Sequence, residues 1–201
     1  GQKPDGQRGY TVATYPAAKK SEMDLCMTPE ALDAILNSVG ALQPETGGVG
    51  YAALDKMGIS HFEFDELGSA NSASTVYRPD VSSLDAMSQE HLEADERLTT
   101  AIVHSHPGSS GEPTLGVNGK GDLSFVSKYF KMNPWSETIL LPIITTEGGR
   151  ITIHPWVISR ESEVPKLAKL RICAEREFPN RQWPKGFRPP AEEASESVGE
   201  D

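Results

Sequence analysis

Residues 99–106, Thr-Thr-Ala-Ile-Val-His-Ser-His, constrain the fold more than any other stretch. The run is apolar and β-branched, too short for an ordinary helix, and followed by a Gly- and Ser-rich segment at 107–121. It reads as a short buried strand that ends in polar residues. Such a strand needs partners in a sheet and cover on its faces, and the rest of the chain offers both. A helix opens at Thr28-Pro29-Glu30, where Thr28 can cap, Pro29 suits the first turn and Glu30 favours the positive helix end. Leu32, Ile35, Leu36 and Val39 continue it at helical spacing, and Gly40 and Pro44 close it. Residues 49–54 and 59–67 read as strands around a turn near Lys56-Met57-Gly58, and 75–77 as a short strand. A helix from Ser82 carries Leu84, Met87, His91, Ala94 and Leu98, and another opens at Asp122 with Leu123, Val126, Tyr129 and Phe130 on one face. Residues 138–145 and 150–158 read as strands joined at Glu147-Gly148-Gly149, and 162–178 as a last helix. Helices and strands alternate without a strict βαβ repeat. The fold class is therefore α/β, a mixed sheet flanked by helices.

A chain of 201 residues fits one domain with a real core plus tails. Residues 1–27 read as a flexible N-terminal arm, within which 10–15 is a candidate edge strand. Residues 28–178 read as the domain, and 179–201 as a loose Pro-rich and acidic tail. Residues 192–201 carry five acids and no base, half of the formal net charge of −10. No basic patch stands out, which argues against nucleic acid as a partner. No run of ~18 apolar residues exists, so no membrane span is expected. No basic segment followed by an apolar stretch opens the chain, so no secretory signal is expected either. Cys26 and Cys173 lie far apart in sequence, the second in the expected last helix, and read as free thiols of a reducing compartment. The expected location is the cytoplasm. Neither cysteine has Cys-x-x-Cys spacing, so any metal must be held by nitrogen and oxygen.

Candidate chemistry converges on three places. His104 and His106 stand two apart at the end of a strand, where both imidazoles project to one face and can reach one ion. Asp122 opens a helix after the Gly-rich loop and can supply a third ligand. Two nitrogens and one oxygen leave a position open for water, the pattern of a catalytic zinc. Glu45, in a turn beside a strand, can take a proton from such a water. His61, His91 and His154, together with Trp135, Trp156 and Trp183, read as structural or packing residues. Ser105, between the two histidines, should face the opposite side of the strand.

In that order, Pro44-Glu45-Thr46-Gly47-Gly48, then His104-Ser105-His106-Pro107-Gly108, then Asp122, the chain resembles the JAMM motif of the JAB/MPN⁺ metalloproteases. The resemblance spans roughly residues 28–160, and the His-Ser-His-Pro-Gly string is its most specific part. It implies a cytidine-deaminase-like (JAB/MPN) fold. It implies Zn2+ held by His104, His106 and Asp122, with Glu45 activating water. It also implies cleavage of a peptide or isopeptide bond after the C-terminus of a ubiquitin-like protein. The size resembles bacterial members encoded beside ubiquitin-like, E1-like and E2-like proteins, some in antiphage defence. The spacing departs from the family at one place. The family pattern has Ser eight residues after the second histidine and Asp three further on. Here those positions hold Thr114 and Val117, and the next Asp is Asp122. Residues 115–121 then form an enlarged connection. Thr114 becomes the candidate oxyanion donor, with Ser109, Ser110 or a backbone N–H as alternatives. A non-catalytic MPN scaffold and a zinc hydrolase of another small peptide substrate are the competing readings. A nucleoside deaminase is argued against, since no Pro-Cys-x-x-Cys string is present.

Overall fold

The computed structural model describes residues 9–40, 45–70, 79, 81–106, 110–114 and 121–187. Its strands are β1 (Thr11–Val12), β2 (Lys20–Met27), β3 (Gly47–Ala53), β4 (His61–Phe64), β5 (Arg97–Ser105), β6 (Thr138–Glu147), β7 (Arg150–Ser159) and β8 (Lys166–Ile172). Its helices are α1 (Pro29–Asn37), α2 (Glu66–Ala70), α3 (Val81–Asp95) and α4 (Asp122–Met132). The strands form one eight-stranded mixed sheet in the order β2-β8-β7-β6-β5-β3-β4, with β1 beside β7.

Period-two alternation explains why the centre of this sheet is buried on both sides. On β5, Ala101 and Val103 enter one core and Ile102 the other. On β6, Leu140 and Ile144 alternate with Ile139, Leu141 and Ile143 in the same way. The first core is covered by Leu32, Ile35 and Leu36 of α1, and the second by Val126, Tyr129 and Phe130 of α4 with Leu84 of α3. The mixed sheet flanked by helices is thus present. The Thr28 cap is also made: its hydroxyl accepts from the Ala31 N–H at 3.2 Å, with Pro29 in the first turn.

Four expectations are corrected. The last helix, over 162–178, is replaced by β8, which pairs antiparallel with β7 and parallel with β2. Leu, Lys and Arg favour a helix locally, but burial of Leu167 and Ala168 against the sheet outweighs a propensity worth only tenths of a kcal/mol per residue. The arm expected over 1–27 holds β1 and β2. Leu25, Cys26 and Met27 are core residues. The polar half of β2 looks loose in sequence because Glu22 and Asp24 face Lys169 and Arg171 of β8, at 3.3 and 2.9 Å. Cys173 consequently follows a strand, and both cysteines are free and buried. The tail is packed at its start: the Pro179 carbonyl accepts from Met57 N–H, and Arg181 N–H donates to the Asp55 carbonyl, both at 2.9 Å. The strand expected over 59–67 is shorter, giving way to α2. The strand expected over 75–77, and the acidic run after residue 187, lie outside the described residues. Among the described residues, no helix is long and apolar enough to cross a membrane.

Candidate metal centre

Topology brings three distant segments to one end of the sheet. β5 and β6 are parallel neighbours joined through α4, and ligands in such sheets collect at the carboxyl ends of the strands. His104 lies at that end of β5, and His106 just past it, where its N–H donates to the Ile144 carbonyl at 2.9 Å. β3 runs antiparallel to β5 with Gly47 opposite His104, so the residues just before β3 meet the residues ending β5. That register delivers Glu45. Two bonds fix it: Ser105 N–H donates to the Thr46 carbonyl at 2.9 Å, and Thr46 N–H donates to the Ser105 hydroxyl at 3.0 Å. Asp122 is the first residue of α4. The preceding Gly121 has φ 123°, a conformation that a residue with a side chain rarely adopts, and this lets the chain turn abruptly into the helix.

The ligand atoms are close. His104 Nε2 and His106 Nε2 are 3.0 Å apart. Asp122 Oδ1 is 2.8 Å from the first and Oδ2 is 3.3 Å from the second. One donor atom from each of Glu45, His104 and His106 lies within 4.8 Å of the others. All three residues are buried, at 8, 3 and 6% exposure. His106 Nδ1 faces the Ser110 carbonyl at 2.8 Å. A carbonyl only accepts, so Nδ1 carries a proton, and in the neutral ring the Nε2 lone pair faces the cluster.

The electrostatics agree with that arrangement. Burial works to lower the pKa of His106, but the Asp122 carboxylate and the Ser110 carbonyl outweigh it, and the net shift is upward. Burial likewise works to raise Asp122, yet His104, His106 and the Thr114 N–H hold its carboxyl far below the ordinary carboxylate range. A Glu/His/His cluster with a second carboxylate against it can hold a metal ion.

The structure therefore brings Glu45, His104, His106 and Asp122 together. Thr114 stands beside Asp122 in a reciprocal pair: its N–H donates to Asp122 Oδ2 at 2.9 Å, and its hydroxyl accepts from the Asp122 N–H at 3.1 Å. Ser110 meets the cluster through its carbonyl rather than its hydroxyl, which accepts from Glu112 N–H at 3.1 Å. Ser109 and Val117 lie outside the described residues, as do Pro107 and Gly108. Ser105 carries more than the sequence reading gives it, since its hydroxyl ties the backbone beside Glu45. Its place between two candidate ligands was the available signal. Ser110 had no signal, because a carbonyl contact is not encoded by residue type.

No protein-family model matches the sequence, and no curated protein matches it. Among solved structures, the chain is similar to the solution structure of protein DSY2949 from Desulfitobacterium hafniense. The TM-score is 0.52 at 13% identity, over 76% of this chain and 97% of that one. At that identity the likeness bears on the fold alone.

Proposed function

We propose that this chain is a zinc-dependent peptidase of the JAMM (MPN⁺) type, on a cytidine-deaminase-like fold. Its substrate is the bond after the C-terminus of a ubiquitin-like protein, cleaved in deconjugation or precursor processing alongside E1-like and E2-like partners. The observation that carries the reading is the triangle of His104, His106 and Asp122 with Glu45 beside it. Tetrahedral ligands about 2.0–2.1 Å from zinc stand about 3.3 Å from one another. The separations of 3.0, 2.8 and 3.3 Å lie at or somewhat below such edges, close enough for one ion to be reached by all three residues. His104, His106 and Asp122 are the ligands in this reading, and the Ser110 carbonyl holds His106 in the ligating tautomer.

When bound, zinc polarises the scissile carbonyl and lowers the pKa of water toward ~7. Glu45, buried beside both imidazoles, takes the proton of the attacking water. The water oxygen bonds to the carbonyl carbon, the carbon–nitrogen bond breaks, and Glu45 returns its proton to the leaving lysine or α-amine. The Thr114 hydroxyl accepts from the Asp122 N–H, so its own hydrogen can point to the oxyanion, a contribution of about 3–4 kcal/mol. The substrate tail enters extended and pairs with a sheet edge, for which β4 at the end of the strand order is the candidate.

Metal analysis combined with cleavage of a ubiquitin-like fusion tests the reading, wild type against Glu45→Ala. The expected result is stoichiometric zinc in both proteins, with activity in the variant reduced ~10²–10⁴-fold. Full activity after Glu45→Ala refutes the mechanism, and wild type that takes up no zinc refutes the class.

A further inference from the structure

The residues that hold the loop between β5 and α4 come from two places the sequence reading set aside: the N-terminal segment and the histidine of β7. His154 lies on β7 opposite Ile143 of β6, which lies opposite His104 of β5. Its ring is fixed at both nitrogens. Tyr15 hydroxyl is 3.0 Å from Nδ1, and Thr145 Oγ1 is 2.7 Å from Nε2. Burial holds this imidazole below its ordinary pKa, so it is a neutral ring with one donor and one acceptor, both used. Tyr15 also meets Trp156 edge-on, at 5.2 Å between centroids.

The face of this assembly is occupied by Gly111. A methyl group built there would lie 2.1, 2.2 and 2.3 Å from three atoms of the His154 ring. The Gly111 carbonyl accepts from the Trp156 indole N–H at 2.7 Å. Glu112, the next residue, pairs with Lys19 of the N-terminal segment. Immediately before Gly111 stands Ser110, whose carbonyl sets the tautomer and angle of His106. The contacts thus run in one series: Tyr15 and Thr145 to His154, His154 to Gly111, Ser110 to His106.

We propose that His154 is a positioning residue for the metal centre, acting through Gly111 and the Ser110 carbonyl on His106, with Tyr15 of the N-terminal segment holding its ring. This rests on the zinc reading above and adds residues outside the four that compose the motif. His154 is not itself a ligand, because both of its nitrogens are engaged elsewhere. Glycine is required at 111 because the ring and the loop backbone are in direct contact; the wall and the gap form a matched pair.

The matched pair makes a rescue experiment available. Zinc affinity is measured by competition with a chromophoric chelator. Cobalt(II) absorption reports the coordination geometry, and thermal unfolding of the metal-free protein reports the fold. Gly111→Ala is expected to weaken zinc 10–100-fold, the usual range for removing the support of a ligand histidine, and to alter the cobalt spectrum. Adding His154→Ala opens the space the new methyl needs. His154→Ala alone, which removes the wall without adding a methyl, is expected to weaken zinc several-fold and to alter the cobalt bands. The double variant, in which the clash is gone, is expected to lose less than the product of the two single losses. Tyr15→Phe, a milder change that keeps the ring packing, is expected to weaken zinc several-fold and covers the case in which Gly111→Ala does not fold. Wild-type affinity and spectrum in Gly111→Ala, or in Tyr15→Phe where Gly111→Ala does not fold, overturn the proposal while leaving the zinc reading intact. So does wild-type zinc affinity in His154→Ala, or a double variant in which the two single losses simply multiply. A wild-type protein that binds no zinc overturns both.

Discussion

Removing the Ser105 hydroxyl isolates the side-chain tie between β5 and the residue after Glu45. The hydroxyl accepts from Thr46 N–H at 3.0 Å and reaches the Thr46 carbonyl at 3.4 Å, and both residues are buried. In Ser105→Ala the Thr46 carbonyl keeps its bond from Ser105 N–H at 2.9 Å, so only one group loses its partner. A buried N–H left unsatisfied costs about 1–3 kcal/mol, and the small cavity left by one oxygen adds little. For a domain of this size each kcal/mol lowers Tm by about 2–4 °C, so a fall of about 4–8 °C is expected at the middle of that range. Thermal unfolding of the metal-free protein by circular dichroism measures it, free of any assumption about zinc or substrate. Ser105→Thr keeps an oxygen at the same place and should restore most of the loss if the branched methyl is accommodated. If peptidase activity is assayed in parallel, Ser105→Ala should lower kcat more than KM, because Glu45 loses the anchor on its neighbour while substrate contacts stand. A Tm within about 1 °C of wild type would refute the reasoning, since the Thr46 N–H would then have found another partner.

Asp122→Asn tests the electrostatics of the cluster in metal-free protein. His106 is raised above its ordinary value of 6.5, so the stabilisation it gains from Asp122 is complete below that value and is lost as pH rises through the higher folded one. The difference in Tm between wild type and Asp122→Asn should therefore shrink as pH is taken upward from 6.5; a difference that grows with pH contradicts the assignment. Arg181→Ala tests the corrected tail: the residue is 9% exposed, and its guanidinium carbon lies 4.9 and 5.5 Å from the Trp135 and Trp183 ring centroids. Loss of a desolvated cation–π pair costs about 2 kcal/mol, to be read as a lower denaturant midpoint and a changed tryptophan emission; a midpoint equal to wild type refutes the packing.

Where the sequence was legible, period and punctuation decided it. The Thr28 cap, the Glu147-Gly148-Gly149 turn and the start of α4 are local events, written in adjacent residues. The failures have a common cause. β2 and β8 lie at one end of the strand order and pair mainly with each other, so each shows polar residues on its open side and neither has the apolar density of β5 or β6. Lys169 and Arg171 read as helical and Glu22 and Asp24 read as loose until the two strands are seen side by side. The site was legible for the same reason that β5 was: two histidines at period two on a strand declare a shared face without any knowledge of the partner. The contacts of Ser105, Tyr15 and His154 were not legible. Each is made with a backbone group or a ring supplied by a segment far away in the chain.

The geometry of the site permits a connection of this length between His106 and Asp122. Asp122 owes its position to the start of α4, which packs on the sheet through Val126, Tyr129 and Phe130. Thr114 is clipped to that start by three bonds: the reciprocal pair with Asp122 and the Leu123 N–H to the Thr114 carbonyl at 3.2 Å. With its two ends joined in this way, the number of residues between 114 and 122 no longer decides where the carboxylate stands. Loop closure is also cheap in length: doubling the residues between fixed ends costs only about 0.6 kcal/mol. A carboxylate placed by a helix end tolerates insertions before it, whereas two histidines placed by strand period tolerate none. Spacing therefore constrains His104 and His106 strictly and Asp122 loosely. Thr114 likewise has a structural task at this site whether or not its hydroxyl meets an oxyanion.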